Sequence, residues 1–165
     1  MKRFYGKYRG TVEKNVDLSG RGRVQVSVPK VFGSGKLVWA EPCVPYAGDG
    51  VGFFAVPPEK AKVWVEFAEG NPEEPVLAGC YWLNGQSPGT GKPDIQVWKA
   101  GGITITLNNA SSGGGLTIEV GSPTVDGTLS LALNKDGITL SNGTSQTVVV
   151  GKSSVKINND GLEVK

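Results

Sequence analysis

Histidine is absent from the chain. That absence excludes Ser-His-Asp triads, Cys-His dyads and every histidine-ligated metal site. Cysteine is scarce: Cys43 and Cys80 sit in apolar segments without CxxC spacing, which predicts buried free thiols rather than a disulfide or redox pair. An excess of either charge is missing as well. Lys and Arg number 17 against 15 Asp and Glu, a net +2. The balance is local, with 11 basic and 9 acidic groups in residues 1–84 and six of each in 85–165. Neither a basic nucleic-acid stripe nor an acidic tail is expected. No apolar run reaches the ~18 residues of a spanning helix. Met1-Lys2-Arg3 leads into Phe4-Tyr5-Gly6 rather than a signal-peptide core, so synthesis and folding in a cytoplasm are expected. No stretch shows a convincing helical period.

What the chain does have is strict alternation. From residue 103 onward, short segments place apolar side chains at every second position: Ile103, Ile105, Leu107; Leu116, Ile118, Val120; Leu129, Leu131, Leu133. Shorter ones follow with Ile138, Leu140; Val148, Val150; Val155, Ile157; and Leu162, Val164. Period two puts each set on one face of a strand. The breaks are turn dipeptides: Asp126-Gly127, Asp136-Gly137, Asn142-Gly143 and Asp160-Gly161. Such a ladder has a folding problem. Burying each inner side chain stabilises by roughly 1.5–3 kcal/mol, whereas ordering every residue costs about 1–2 kcal/mol of backbone entropy. One copy has too little to bury, and strand edges need cover. The expectation is an obligate homo-oligomer in which copies wind together, strands pair between chains, and the inner faces share one core.

Residues 4–82 have a different texture, holding all five Phe, all four Tyr and three of the four Trp. Strands are expected from Phe4 to Glu13, Arg23 to Val28, around Val38-Trp39-Ala40, Val51 to Val56, Lys62 to Phe67 and Pro75 to Trp82. Five or six strands in about 80 residues suit a small closed barrel. Residues 85–94, rich in Gly, Pro and Ser, read as a linker between a barrel at 1–84 and a spike at 95–165, which opens on a strand at Ile95 to Lys99.

An ordered string of motifs in the first half carries a family resemblance. Arg9-Gly10-Thr11-Val12, Asn15, Asp17 and Gly22 to Pro29 open it. Trp39-Ala40-Glu41-Pro42, Pro45 to Gly48, Gly52-Phe53 and Pro57-Pro58 continue it, and Val63 to Pro72 with Pro75-Val76 and Gly79 end it. This resembles the N-terminal domain of the baseplate central-spike family of contractile tails, shared by phage baseplate assembly protein V and the VgrG spike of type VI secretion. The resemblance implies an all-β homotrimer, an OB-fold barrel followed by an intertwined triple-stranded β-helix. It implies a baseplate component that caps the inner tube and pierces a target envelope when the sheath contracts. Partners would be the tube's terminal ring, baseplate proteins and a tip protein of the PAAR-repeat type, with transient membrane contact. The particle would be assembled in a bacterial cytoplasm and in some systems released. The chain departs from some relatives: no lysozyme-like domain is inserted, and no His-x-His is present for a metal-bound needle tip.

The remaining candidates reduce to bland chemistry. Gly20-Arg21-Gly22-Arg23 could grip phosphate but reads as a hairpin turn. Trp39, Tyr46, Phe53, Phe54, Trp64, Phe67, Tyr81 and Trp82 could stack bases or sugars, yet a small barrel needs such bulk for its core and interfaces. Glu73-Glu74 beside Pro72 and Pro75 is a solvated turn rather than half of a glycosidase pair. The Asp-Gly and Asn-Gly pairs lack calcium-loop spacing. No catalytic, cofactor-binding or metal residue is assigned. The expected functional residues are the β-helix core named above and a tip-protein contact at Leu162, Glu163, Val164 and Lys165. The alternative is an oligomeric OB-fold module that binds single-stranded nucleic acid or glycan.

Overall fold

A computed structural model describes residues 2–158 and 161–164. It divides into two compact units, one up to Gln86 and one from Ser87 onward.

The first unit is a closed barrel. Its strands are β1 (Tyr8–Lys14), β2 (Val24–Ser27), β3 (Leu37–Pro42), β6 (Lys62–Phe67) and β7 (Pro75–Tyr81), in the order β1-β2-β3-β7-β6, with β1 closing back on β6. A small exposed hairpin, β4 (Ala47–Gly48) and β5 (Val51–Gly52), projects between β3 and β6. Alternation decides what lies inside: Val24 and Val26 on β2, and Val63, Val65 and Phe67 on β6, are buried while their neighbours are not. Val12, Val28, Ala40 and Leu77 complete the core. Phe4, Tyr8 and Phe32 ring Phe67 with centroids 5.6–6.0 Å apart.

Several expectations need correcting. The first strand starts at Tyr8, and Phe4 reaches the barrel separately by donating its N–H to the Gly70 carbonyl at 2.9 Å. A single helical turn, α1 (Pro29–Phe32), was not foreseen. Pro29 pre-sets its first φ and Gly33, at φ +75°, stops it, too short for periodicity to register. The expected strand at Val51 to Val56 shrinks to β5, because Gly52 closes a tight pair with Ala47 and Pro57-Pro58 prevents further pairing. Of the eight aromatics assigned to core or interface, Phe67 alone is buried; valines fill the barrel. Both thiols are free but exposed, not buried. Cys43 sits at the rim just after β3. Cys80 follows a register shift opposite Trp64 and Val65 that breaks the alternation of β7.

The second unit is an antiparallel sheet in which every strand pairs with its sequence neighbours. It contains β8 (Ile95–Ala100), β9 (Ile103–Asn108), β10 (Gly115–Val120), β11 (Leu129–Asn134), β12 (Gly137–Ser141), β13 (Thr147–Val150), β14 (Val155–Ile157) and β15 (Leu162–Val164). Contrary to the expectation that these strands pair between chains, their ladder hydrogen bonds are satisfied within one chain. The physical reason is turn length: each connection is short enough for a hairpin, which costs far less loop entropy than recruiting another copy. Gly127, Gly137 and Gly143 adopt φ of +87°, +136° and +78° at three of the expected turn dipeptides. Asp160 of the fourth lies outside the described residues. At Gly137 the demand is absolute, since a Cβ there would stand 2.0 Å from the Val150 carbonyl oxygen.

Candidate trimerisation face and barrel loops

In the ladder, register turns alternation into columns. Leu107, Leu116, Leu133, Ile138, Val150 and Val155 stand directly opposite one another from strand to strand. So do Ile105, Ile118, Leu131, Leu140, Val148 and Ile157, a column that ends at Leu162. Ile103, Val120 and Leu129 make a third, shorter column. All fifteen residues expected in the β-helix core therefore share one face. Cross-strand pairs of this kind set both register and packing.

That face is uncovered in a single chain. Leu107 is 50 % exposed and Leu140 49 %, and none of the fifteen is buried. Ile118, Leu131, Leu140, Val148 and Ile157 line an open trough of about 650 Å³. Along this ladder each inner strand is paired on both sides within the chain while the apolar face is bare, so what the sheet lacks between its two edges is side-chain cover. Soluble proteins rarely leave a continuous apolar surface of this extent without a partner.

Sequence reasoning missed the head of this face. Gln96, Trp98 and Ala100 on β8 stand opposite Leu107, Ile105 and Ile103, so Trp98 begins the central column. The alternation of Ile95 to Ala100 was the available signal, but which parity faces inward is fixed only by register with β9. At the other end, Leu162 is exposed, and among the described residues β15 pairs with β14 alone. Of the four residues expected to contact a tip protein, Glu163 and Val164 are strand positions in this register, and Lys165 lies outside the described residues.

In loop 15–23 of the barrel, where a turn was expected at Gly20 to Arg23, the hydrogen-bond network was not foreseen. The Asp17 carboxylate accepts hydrogen bonds from the Ser19 and Arg21 backbone N–H groups at 3.1 and 3.2 Å, and from the Ser19 hydroxyl at 2.8 Å. It further accepts from the Arg23 backbone N–H at 3.2 Å and from Arg23 Nε and Nη2 at 3.1 and 3.0 Å. The Arg23 guanidinium holds this carboxyl well below the usual carboxylate range, outweighing the burial that pushes it up, and Ser19 adds to the effect. Arg23 also lies over the Trp39 ring at 5.2 Å. The Gly20 to Arg23 stretch is thus an ion-paired turn, with Arg21 bonded to Glu41 at 2.7 Å. Glu73 and Glu74 are exposed, as a solvated turn requires. Lys60 pairs with Glu13, whose carboxyl is held low chiefly by that contact and then by Ser27. Among the described residues no group of three or more metal-ligating side chains converges.

A small barrel with charged surface pairs, joined to a ladder with one bare apolar face, defines an all-β assembly module whose working parts are surfaces. Residues 8–82 match the type VI secretion system/phage-baseplate injector OB domain, and residues 95–163 match the phage baseplate V C-terminal trimerisation domain. Between them the two matches take in most of the chain, and the protein belongs to this phage-baseplate and type VI secretion spike family. Both domains are structural by kind. No curated protein matches the chain.

Proposed function

We propose that three copies form the central spike of a contractile injection machine, their ladders supplying the three walls of a closed triangular β-helix. The observation that carries this reading is the uncovered apolar face of a ladder whose inner strands are already paired within the chain. Three such faces turned to a common axis would bury every column at once. Eight strands at about 4.8 Å spacing give a stem of roughly 34 Å, stiff because the load runs through paired backbone. The work is mechanical. The spike would cap the inner tube at the baseplate, be driven forward when the sheath contracts, and breach the target envelope without catalysing a reaction. Its partners would be the tube's terminal ring, the surrounding baseplate proteins and, on the exposed edge at Leu162, a separate tip protein of the PAAR-repeat type. It would be built in the bacterial cytoplasm as part of a phage tail-like particle, released in some systems.

Particles prepared with and without the protein test this. The expected result is that particles lacking it fail to depolarise target cells, and that density for a threefold spike disappears from the baseplate. Full activity in its absence would contradict the reading. Truncation at Asn159 should abolish capture of the tip protein while the trimer persists; unchanged capture would remove the tip assignment.

A further inference from the structure

The barrel closes least completely at one seam. There β3 runs parallel to β7 and meets it at two positions, Glu41 opposite Val76 and Pro42 opposite Leu77, whereas on its other side it pairs with β2 at four. Backbone direction says what this leaves open. The Cys43 N–H donates to the Leu77 carbonyl at 3.0 Å, so Cys43 points its peptide groups at β7, and alternation turns those of Glu41, Trp39 and Leu37 the same way. Counting round the barrel from its other side gives the same parity. The Val12 N–H donates to the Ala61 carbonyl beside β6, so Val26 opposite Val12 faces β3, and Val38 opposite Val26 faces β2. Leu37 and Trp39 therefore turn their N–H and C=O groups to the seam. Continuing the register, the Trp39 carbonyl needs the N–H of residue 75, and Pro75 has none.

Before Pro75 the opposing chain turns away and leaves a cleft of about 510 Å³. Leu37 and Trp39 stand on one wall, and Ala68, Pro72, Glu73 and Glu74 on the other. The second wall is held by its own bonds. The Ala68 N–H donates to the Glu74 carbonyl at 2.9 Å, the Asn71 N–H to the Ala68 carbonyl at 2.8 Å, and the Glu73 N–H to Asn71 Oδ1 at 3.2 Å. These bonds are local, so the turn keeps its shape without closing on β3. The charges around the cleft do not balance. Arg23 is paired with Asp17 and Glu41 with Arg21, while Glu73 and Glu74 are exposed and have no ion pair among the described residues.

We infer that this seam is a strand-addition site for an extended basic segment of another protein. An incoming strand would pair its backbone with Leu37 and Trp39, set alternate apolar side chains against Trp39 and Pro72, and reach Glu73 and Glu74 with lysine or arginine. An open strand edge is a template for a further strand, and the two unpaired carboxylates select the charge of its occupant. The chain's own loose segments do not suit it. Residues 85–94 hold no apolar side chain besides Pro88 and Pro93, and each proline removes a backbone donor. The segment before β1 is engaged elsewhere, with Arg3 and Phe4 donating to the carbonyls of Glu69 and Gly70. The site is complete in one chain and needs no second copy.

The test is fluorescence anisotropy with a labelled peptide of about six residues that alternates lysine and valine, titrated with the full-length protein. Saturable binding is expected, and hydrogen–deuterium exchange should show the Leu37 and Trp39 amides slowing when the peptide is added. Glu73→Lys/Glu74→Lys should weaken binding about tenfold, with its β2 and β6 amides still slow. Asp49→Lys/Glu59→Lys, an exposed pair with the same change in net charge, should leave binding unchanged. The same peptide N-methylated at every amide should not bind. Absence of saturable binding, or binding that survives N-methylation or the Glu73 and Glu74 reversal, would overturn the proposal. So would Leu37 and Trp39 amides that are already slow in the protein alone, because the edge is then covered by this chain or a copy of it. None of these outcomes bears on the trimer.

Discussion

Leu131→Asp probes the bare face most severely. Leu131 lies in the central column, opposite Ile118 on one side and Leu140 on the other. Removing the leucine forfeits about 1.5–3 kcal/mol of burial per chain. Placing a carboxylate in the shared core costs several kcal/mol more per chain unless it takes up a proton. Over three copies the loss is on the order of 10–20 kcal/mol, enough to abolish assembly at micromolar concentration. A parity control must sit one residue out of phase without creating a new problem. Ser130→Asp sets its charge directly opposite Glu119, a like-charge pair worth roughly 0.2–1 kcal/mol. Thr139→Asp is cleaner, because its neighbours across the ladder are Ala132 and Val149. Light scattering and resistance to SDS should report a monomer for Leu131→Asp, and a trimer for Thr139→Asp. Equal behaviour of the two variants would refute the assignment of faces.

Gly137→Ala should destabilise the ladder by about 3 kcal/mol or more, since a Cβ meets the Val150 carbonyl oxygen at a left-handed φ; a Tm unchanged within one degree would contradict it. Thr147 Oγ1 is buried without a hydrogen-bond partner, so Thr147→Val should stabilise by about 1 kcal/mol, read as a raised Tm. The Asp17 carboxyl is held low in the fold and titrates near 3.9 when unfolded. Its contribution is therefore complete above about pH 5 and is lost as pH falls through the unfolded value toward the folded one. Asp17→Asn should lower the barrel's Tm at pH 7 and flatten its acid limb, while an acid limb identical to the parent's would show that Asp17 does not govern it.

Alternation made most of the fold legible. Valines at 24, 26, 63 and 65 and the apolar columns of the ladder could be assigned to faces because period two leaves no freedom once a strand exists. The motifs from Arg9 to Gly79 placed the first half in its family, which the matched OB domain bears out. Pairing was harder to read. Nothing in the pattern Ile103-Thr104-Ile105 says whether its partner strand is in the same chain, and short turns decided that in favour of hairpins. Composition could not divide the aromatics between core and interface: Phe67 is buried, whereas Tyr46, Phe54 and Trp82 stand exposed on loops whose course composition cannot give. Asp17 was visible only as a motif letter; its network depends on three backbone N–H groups brought round by a turn.

The central claim is that the bare apolar face closes against two others. Light scattering on the purified full-length protein, followed through dilution, tests it most directly. The account predicts a single species at three times the 17.3 kDa chain mass that persists to nanomolar concentration. A stable, monodisperse monomer with the ladder still folded would contradict it.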